Sequence, residues 1–299
     1  MAKLDKHLLI ITLALVALLS LIRLPSGLDT ILFLVTIIVI GIPHGALDHV
    51  IEFKNANPSR IQLVKFYAIY ISLIVVVCAS WYLFPQLSFL VFIAISAYHF
   101  GQSQLYYFPV KGILSQLYFL SWGMALLAMI IFTNIDECLI IFKSLEWLNT
   151  TQLNSSFWLI LLASSSVLWF TMSLVYFLTG VVKFKDIGKE VLLLAMFCAI
   201  SLTSNAVITF TIYFGIWHSF RSLILTFKSI KEDVGNSIVQ FIKAALPFSI
   251  AGIVFLGLGY YFSFQFDLGI SIYMIFIIII STLTVPHLFV MNRLYNPIH

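Results

Sequence analysis

The sequence predicts an all-α protein, a polytopic membrane bundle of about ten transmembrane helices. Of its 299 residues, 62 % are hydrophobic and only 9 % are charged, and its mean hydropathy is +1.08. A soluble domain carries roughly a quarter charged residues, so this composition predicts a single integral-membrane domain over residues 1–299. The net charge of +4 does not collect in a basic face or stripe, so we expect no nucleic-acid partner.

Ten segments have the length and apolar character of membrane-crossing helices, which need about 20 residues. The first has the basic start and apolar core of a signal peptide, but no small-residue cleavage site follows it, so we interpret it as a retained helix. After the fifth, the mixed apolar and charged residues 136–151 favour a short amphipathic helix at the membrane surface. The predicted helices span about residues 7–24, 31–52, 65–84, 87–107, 113–133, 157–179, 187–203, 206–228, 241–262 and 269–292.

The positive charges indicate how these helices are oriented. With a cytoplasmic N-terminus and ten crossings, thirteen Lys and Arg residues lie on the cytoplasmic side, and only Arg23 and Lys143 lie on the other. Because Lys and Arg collect on the cytoplasmic side of membrane proteins, this asymmetry supports the count of ten. We therefore predict a multi-pass protein of the cell (inner) membrane with both termini cytoplasmic.

Four histidines lie at similar depths in four of the predicted helices. Counted from the outer helix ends, His44, His99 and His218 come about 12 to 13 residues in and His287 about 17 to 18, which is one band at a rise of 1.5 Å per residue. A single membrane histidine often only hydrogen-bonds to a neighbouring helix, but ionisable groups at this depth are costly and usually functional. Neutral imidazoles suit iron, copper or zinc, and the three scattered cysteines offer no thiolate site. We interpret the four histidines as ligands of one metal ion.

Three further ionisable residues flank this layer. Asp48 follows His44 by four residues and shares its helix face, whereas His49 follows by five and faces elsewhere, as an outer-shell group or an alternative ligand. We expect Asp48 and Arg221 to face the bundle interior, where they pair with each other or orient ligand imidazoles. Alternatively, Arg221 extends to the cytoplasmic interface.

Small and helix-breaking residues accompany the histidines. Pro43 and Pro286 each precede a histidine, and a proline inside a helix frees a carbonyl one turn back and bends the chain. Gly41, Gly45 and Gly101 permit close approach of helices. Ordinary membrane packing also uses Gly and Pro, so these residues fit a site without identifying one.

Aromatic side chains cluster near the histidines. Phe, Trp and Tyr make up 16 % of the chain, and many of them serve packing or face lipid. If a long apolar substrate enters sideways from the membrane, such rings form the walls of its tunnel. The candidate substrate-binding residues are Tyr98, Phe100, Tyr106, Phe214 and Trp217.

Four short motifs contain these residues: PHGALDH (43–49), YHFGQSQ (98–104), WHSFR (217–221) and PHLFVMN (286–292). As an ordered set that spans most of the chain, they resemble the Brp/Blh family of integral-membrane β-carotene 15,15′-dioxygenases. The resemblance implies an Fe(II) centre held by histidines, which uses O2 to cleave β-carotene at its central double bond. The products are two molecules of retinal, which often supply a microbial rhodopsin. By position, His44, His99 and His218 match the iron ligands of that family.

The chain departs from the family pattern at three positions. Members often read HxxRH where this chain reads HSFRS, so Ser222 replaces a histidine, and Gln104 and Asn292 stand where an acidic residue is common. The fourth ligand is therefore His287 or, alternatively, His49. Two other functions stay open. One is a membrane electron-transfer protein in which histidine pairs hold haem, and the other is a transporter that uses buried His and Asp without a metal.

Overall fold

The computed structural model describes residues 2–22 and 24–295, and the regular structure within those residues is entirely helical. The residues outside this description are Met1, Arg23 and 296–299. The prediction that Arg23 lies on the outer side therefore falls outside the described residues. Each of the ten predicted segments contains helix among its described residues. In chain order the elements are α1 (Ala2–Leu21), α2 (Leu28–Thr36), the π-helical π1 (Ile37–Gly41), α3 (Ile42–Gly45), α4 (Asp48–Glu52), α5 (Arg60–Leu83), α6 (Pro85–Leu105), α7 (Ile113–Thr133), α8 (Ile135–Lys143), α9 (Ser155–Leu178), α10 (Phe184–Thr203), α11 (Ala206–Ile212), the π-helical π2 (Tyr213–Phe220), α12 (Arg221–Val234), α13 (Ile238–Gln265) and α14 (Ile272–Tyr295).

Seven of the described helical stretches are long and apolar enough to cross a membrane, which indicates a multi-pass membrane protein. The predicted count of ten crossings is not confirmed. The other three predicted crossings are α6, α10 and the stretch from α11 to α12. They form helices, but they contain polar residues such as His99, Glu190 and Arg221, which lower their apolar character. The seven stretches are Leu4–Leu21, Leu28–Glu52, Arg60–Leu83, Ile113–Thr133, Ser155–Leu178, Ile238–Gln265 and Ile272–Tyr295.

The helices form two compact units, each assembled from separated parts of the chain. Unit 1 contains Met1–Thr36, Ser96–Ile140 and Thr150–His218, and unit 2 contains Ile37–Ile95, Ile141–Asn149 and Ser219–His299.

In unit 1, α7 is the central helix and packs against α9, α10 and α11. Its backbone also meets the backbone of α6 at two points. A Cβ added at Gly101 of α6 would lie 1.8 Å from the carbonyl oxygen of Phe119, and one added at Gly123 of α7 would lie 1.8 Å from that of Ala97. Gly101 therefore permits the close approach predicted for it, and the contact requires glycine on both helices.

In unit 2, α14 packs against α4, α5 and α13. The indole N–H of Trp81 on α5 donates to the hydroxyl of Ser281 on α14 at 2.7 Å. Helix α5 begins with a capping box, in which Ser59 and Gln62 bond each other's backbone N–H groups. The Trp81–Ser281 hydrogen bond thus joins α5 to α14, which carries His287.

Two π-helical segments lie at predicted ligands: π1 ends shortly before His44, and π2 contains His218. Pro43 gives a physical reason for the first, because proline has no N–H to donate to the carbonyl four residues back and its ring displaces that carbonyl. Single π-helical turns occur frequently at functional sites.

Candidate functional site

Unit 2 brings two of the predicted ligands together. His44 in α3 and His287 in α14 are 6 % and 5 % exposed, and their ring centroids lie 5.0 Å apart at an interplanar angle of 83°. A ring nitrogen of each lies within 4.8 Å of one in the other. Gly45 adjoins the pair, since a Cβ there would lie 3.6 Å from Nδ1 of His287. The two nitrogens are therefore close enough to act as ligands of one metal ion.

Asp48 reaches this pair through His287. A two-residue turn separates α3 from α4, so Asp48 does not continue the helix of His44 as its spacing predicts. Its Oδ1 lies 2.7 Å from Nδ1 of His287. Of the two roles predicted for Asp48, this contact is of the imidazole-orienting kind. Arg221, at the start of α12, is only 2 % exposed.

His49 has different neighbours from His44, as its spacing predicts. Its ring packs against Phe248, with centroids 4.6 Å apart, and lies 6.4 Å from the ring of Tyr67. His49 also lines a cavity of about 440 Å³. The other lining residues come mainly from the connection after α4 and from the end of α12, where Asp233 lies.

Ser222, which replaces the histidine of the HxxRH pattern, is buried in unit 2. Its hydroxyl oxygen lies 3.3 Å from that of Tyr295, so the position supplies a hydrogen bond between α12 and α14. A hydroxyl in this contact does not replace an imidazole as a ligand for a borderline metal.

Unit 1 brings the other two predicted ligands together. His99 in α6 and His218 in π2 are each 2 % exposed, and their ring centroids lie 4.8 Å apart at 77°. The Ser103 hydroxyl donates to the Phe100 carbonyl at 3.0 Å, and its oxygen lies 3.1 Å from Nδ1 of His218. Because the first bond uses the hydroxyl hydrogen, the imidazole is the donor in the second.

Three of the four histidines share one hydrogen-bond pattern, in which Nδ1 faces an acceptor. In His44 the acceptor is the carbonyl of Gly41, and in His218 and His287 it is the serine and the aspartate described above. Each acceptor favours the Nδ1–H tautomer, in which Nε2 carries the lone pair that binds a metal. Metal-bound histidines usually have this arrangement, so the residues present fit a metal that prefers imidazole ligands.

Two of the five predicted substrate-binding aromatics adjoin His218. The ring centroids of Phe100 and Phe214 lie 4.7 Å and 5.5 Å from its own. Phe210 extends this aromatic wall, stacked on Phe214 at 5.3 Å. The remaining three contact other groups: Tyr98 accepts a hydrogen bond from Gln102, Tyr106 packs against Tyr107, and the indole N–H of Trp217 donates to Thr12.

Glu190 of α10 is a buried carboxylate that the motifs do not identify. It is 0 % exposed and accepts hydrogen bonds from the Gln104 amide at 2.9 Å and the Tyr107 hydroxyl at 2.7 Å. The preceding Lys189 pairs with Asp5 of α1 at 2.6 Å. Gln104, which departs from the pattern of the family that the motifs resemble, therefore places an amide against a carboxylate from α10. The sequence feature that could have identified Glu190 is the presence of charged residues at the start of an otherwise apolar helix.

Comparison with known proteins identifies the family of this chain. A family model described as β-carotene 15,15′-dioxygenase matches residues 35–295, a range that includes all four predicted ligands. A curated β-carotene 15,15′-dioxygenase from an uncultured marine bacterium 66A03 is 35 % identical over 80 residues, which cover 26 % of this chain and 29 % of that protein. The similarity thus spans under a third of the length of that relative, and no solved structure matches the chain. Because the family model matches well over half of the length of this chain, the chain belongs to the β-carotene 15,15′-dioxygenase family.

Proposed function

We propose that the chain is a membrane dioxygenase that uses Fe(II) and O2 to cleave β-carotene at its 15,15′ double bond, giving two molecules of retinal. Membership of the family supports the reaction class. The observation that carries the metal part is the repeated hydrogen bonding at Nδ1, which prepares three buried imidazoles to bind through Nε2.

We propose that His44, His99, His218 and His287 hold one iron ion, and that residues 1–299 act as a single integral-membrane domain around it. Each histidine pair alone has one ligand fewer than the three protein ligands of a typical catalytic metal site. Because these four imidazoles are neutral, a bound Fe(II) ion would keep its charge of +2. When bound, the iron supplies the oxygen chemistry, and the protein supplies orientation and a dry cavity.

In this proposal the surrounding side chains orient the imidazoles and line the path of the substrate. Ser103 and Asp48 hold their imidazoles in one tautomer, while Phe100 and Phe214 line the path of the polyene beside His218. Tyr98, Tyr106 and Trp217 remain proposed wall residues further along this path. β-Carotene is wholly apolar, so burial of its surface drives binding and no charged anchor is needed.

The membrane location follows from the same substrate. β-Carotene partitions into lipid, so an enzyme embedded in the cell (inner) membrane meets it there directly. We propose the orientation with both termini cytoplasmic and the release of retinal into the bilayer, where a rhodopsin can take it up.

Expression of the chain in a β-carotene-producing bacterium tests the reaction. We expect the orange colour to fade and retinal to appear as the cleavage product in chromatography of the extracted pigments. A host that expresses the His99→Ala variant at the same level is the control and should stay orange. Accumulation of longer apocarotenals would show cleavage at another bond, and unchanged pigment with iron-loaded protein would reject the substrate. A Soret band in the purified protein would instead identify a haem protein.

The fourth ligand is tested by comparing His287→Ala with His49→Ala. We expect His287→Ala to lose most of the iron, because this ring adjoins His44, whereas His49→Ala should keep it, because that ring packs against Phe248. The measurement is the iron content of each purified protein, determined by elemental mass spectrometry. The opposite result, with iron lost only from His49→Ala, would make His49 the fourth ligand.

A further inference from the structure

Asp48 lies between two hydrogen-bond donors from different helices of unit 2. Its carboxylate is on α4 and the residue is 4 % exposed. Oδ1 lies 2.7 Å from Nδ1 of His287 on α14, and Oδ2 accepts a hydrogen bond of 2.9 Å from the hydroxyl of Tyr70 on α5. Each carboxylate oxygen therefore has its own partner, and the three side chains form a continuous hydrogen-bonded chain across α5, α4 and α14.

The chemistry of the three groups gives this chain a direction. An ionised carboxylate only accepts hydrogen bonds, and a tyrosine hydroxyl has a single hydrogen to donate. With the Tyr70 hydrogen on Oδ2, the other oxygen accepts from Nδ1–H of His287, so the lone pair of that imidazole lies on Nε2. The Tyr70 bond also holds the plane of the carboxylate, which would otherwise rotate about its terminal torsion and carry Oδ1 away from the imidazole.

We infer that Tyr70 is a positioning residue for His287 and acts through Asp48. This inference rests on the proposed role of His287 as a metal ligand. A carboxylate that orients a metal-bound histidine is a common arrangement, and its loss typically costs about 10- to 100-fold in metal affinity. Here α5 contributes a third member, which lies 22 residues after Asp48 in sequence, outside every histidine motif.

The test compares Tyr70→Phe with Tyr67→Phe. The first removes only the hydroxyl that donates to Asp48, and the second removes a hydroxyl one turn earlier on α5, from a ring that stacks on Phe248 at 5.9 Å. We expect Tyr70→Phe to release iron to a chelator about tenfold faster than the wild type, at the lower end of the effect of losing an orienting carboxylate. Tyr67→Phe should release it at the wild-type rate. Equal release from all three proteins would overturn the inference.

A double-mutant cycle shows whether Tyr70 acts through Asp48. Asp48→Asn should itself speed iron release, and adding Tyr70→Phe to that variant should have no further effect, because the carboxylate that passes on the constraint is gone. Additive effects of the two substitutions would show that Tyr70 acts by another route and would overturn the inference.

A second readout uses the metal-free protein labelled with ¹⁵N-histidine. In solid-state NMR spectra, the His287 signal is assigned as the one that disappears in His287→Ala. We expect this signal to show the Nδ1–H tautomer in the wild type and in Tyr67→Phe. In Tyr70→Phe it should show a mixture of the two tautomers. A wild-type protein that binds no iron would refute the proposed function, whereas an unchanged tautomer in Tyr70→Phe would refute only the role of Tyr70. If Tyr70→Phe does not accumulate in membranes, Asp48→Asn must show the tautomer mixture for the inference to stand.

Discussion

Replacing His99 with alanine should remove the bound iron and abolish retinal formation while the protein still inserts into the membrane. His99 is 2 % exposed and its imidazole lies edge-to-face with that of His218, so its loss leaves the proposed ligand set one member short. The substitution also makes α6 more apolar, so it should not hinder insertion of the protein. The measurements are iron per protein, retinal yield and the amount of protein in washed membranes.

His7→Ala is the matched control, because His7 is an exposed histidine of α1 that has no part in the proposed site. It should keep both iron and activity. Added imidazole provides a rescue test, because it can enter the space left by the missing ring and restore part of the metal binding. Full iron content in His99→Ala would remove this residue from the ligand set.

Replacing Gly101 or Gly123 with alanine should strongly destabilise the protein. Each new Cβ would lie 1.8 Å from a carbonyl oxygen of the facing helix, and backbone does not move aside as a side chain does. Overpacking of this kind costs about 1–3 kcal/mol and more where two backbones must separate. His99 lies between the two contact positions of α6, Ala97 and Gly101, so the same change also displaces the proposed ligand.

Gly188→Ala is the control for this pair. Gly188 lies within α10, and a Cβ added there meets nothing within 4 Å. Alanine is the better helix former by about 1 kcal/mol, so this variant should be as stable as the wild type or more so. The comparison uses the thermal midpoint of each detergent-solubilised protein. This midpoint is measured by size-exclusion chromatography after heating to a series of temperatures. Equal midpoints for Gly101→Ala and Gly188→Ala would show that α6 and α7 do not meet as described.

The helices themselves could be predicted from the sequence because the length of an apolar run is a local property. The segment predicted at 113–133 forms α7 over Ile113–Thr133, and the segment predicted at 157–179 forms α9 over Ser155–Leu178. The number of crossings is harder to predict. A helix such as α10 has the right length but carries Lys189 and Glu190. Only tertiary contacts show that Lys189 pairs with Asp5 and that Glu190 is hydrogen-bonded to Gln104.

The details of the site depend on contacts that spacing does not contain. The spacing of four between His44 and Asp48 predicts a shared helix face, but a turn intervenes and Asp48 meets His287 from α14 instead. Tyr70 lies outside the histidine motifs, and Ser103 lies inside YHFGQSQ but is not singled out by its residue type, since tyrosine and serine are frequent in membrane helices. Their roles become visible only when the acceptor or donor beside each hydroxyl is known.

The π-helical geometry of π2 ties the direction of one side chain to the exact number of residues before it. Successive residues of an α-helix are rotated by about 100° about the axis, and a π turn accommodates one residue more than an α turn. If the segment took α-helical pitch with all its residues in place, the imidazole of His218 would swing by up to about that angle, away from the rings of Phe100 and His99. A helical wheel drawn at uniform α-helical pitch across π2 therefore places the residues beyond it on the wrong side.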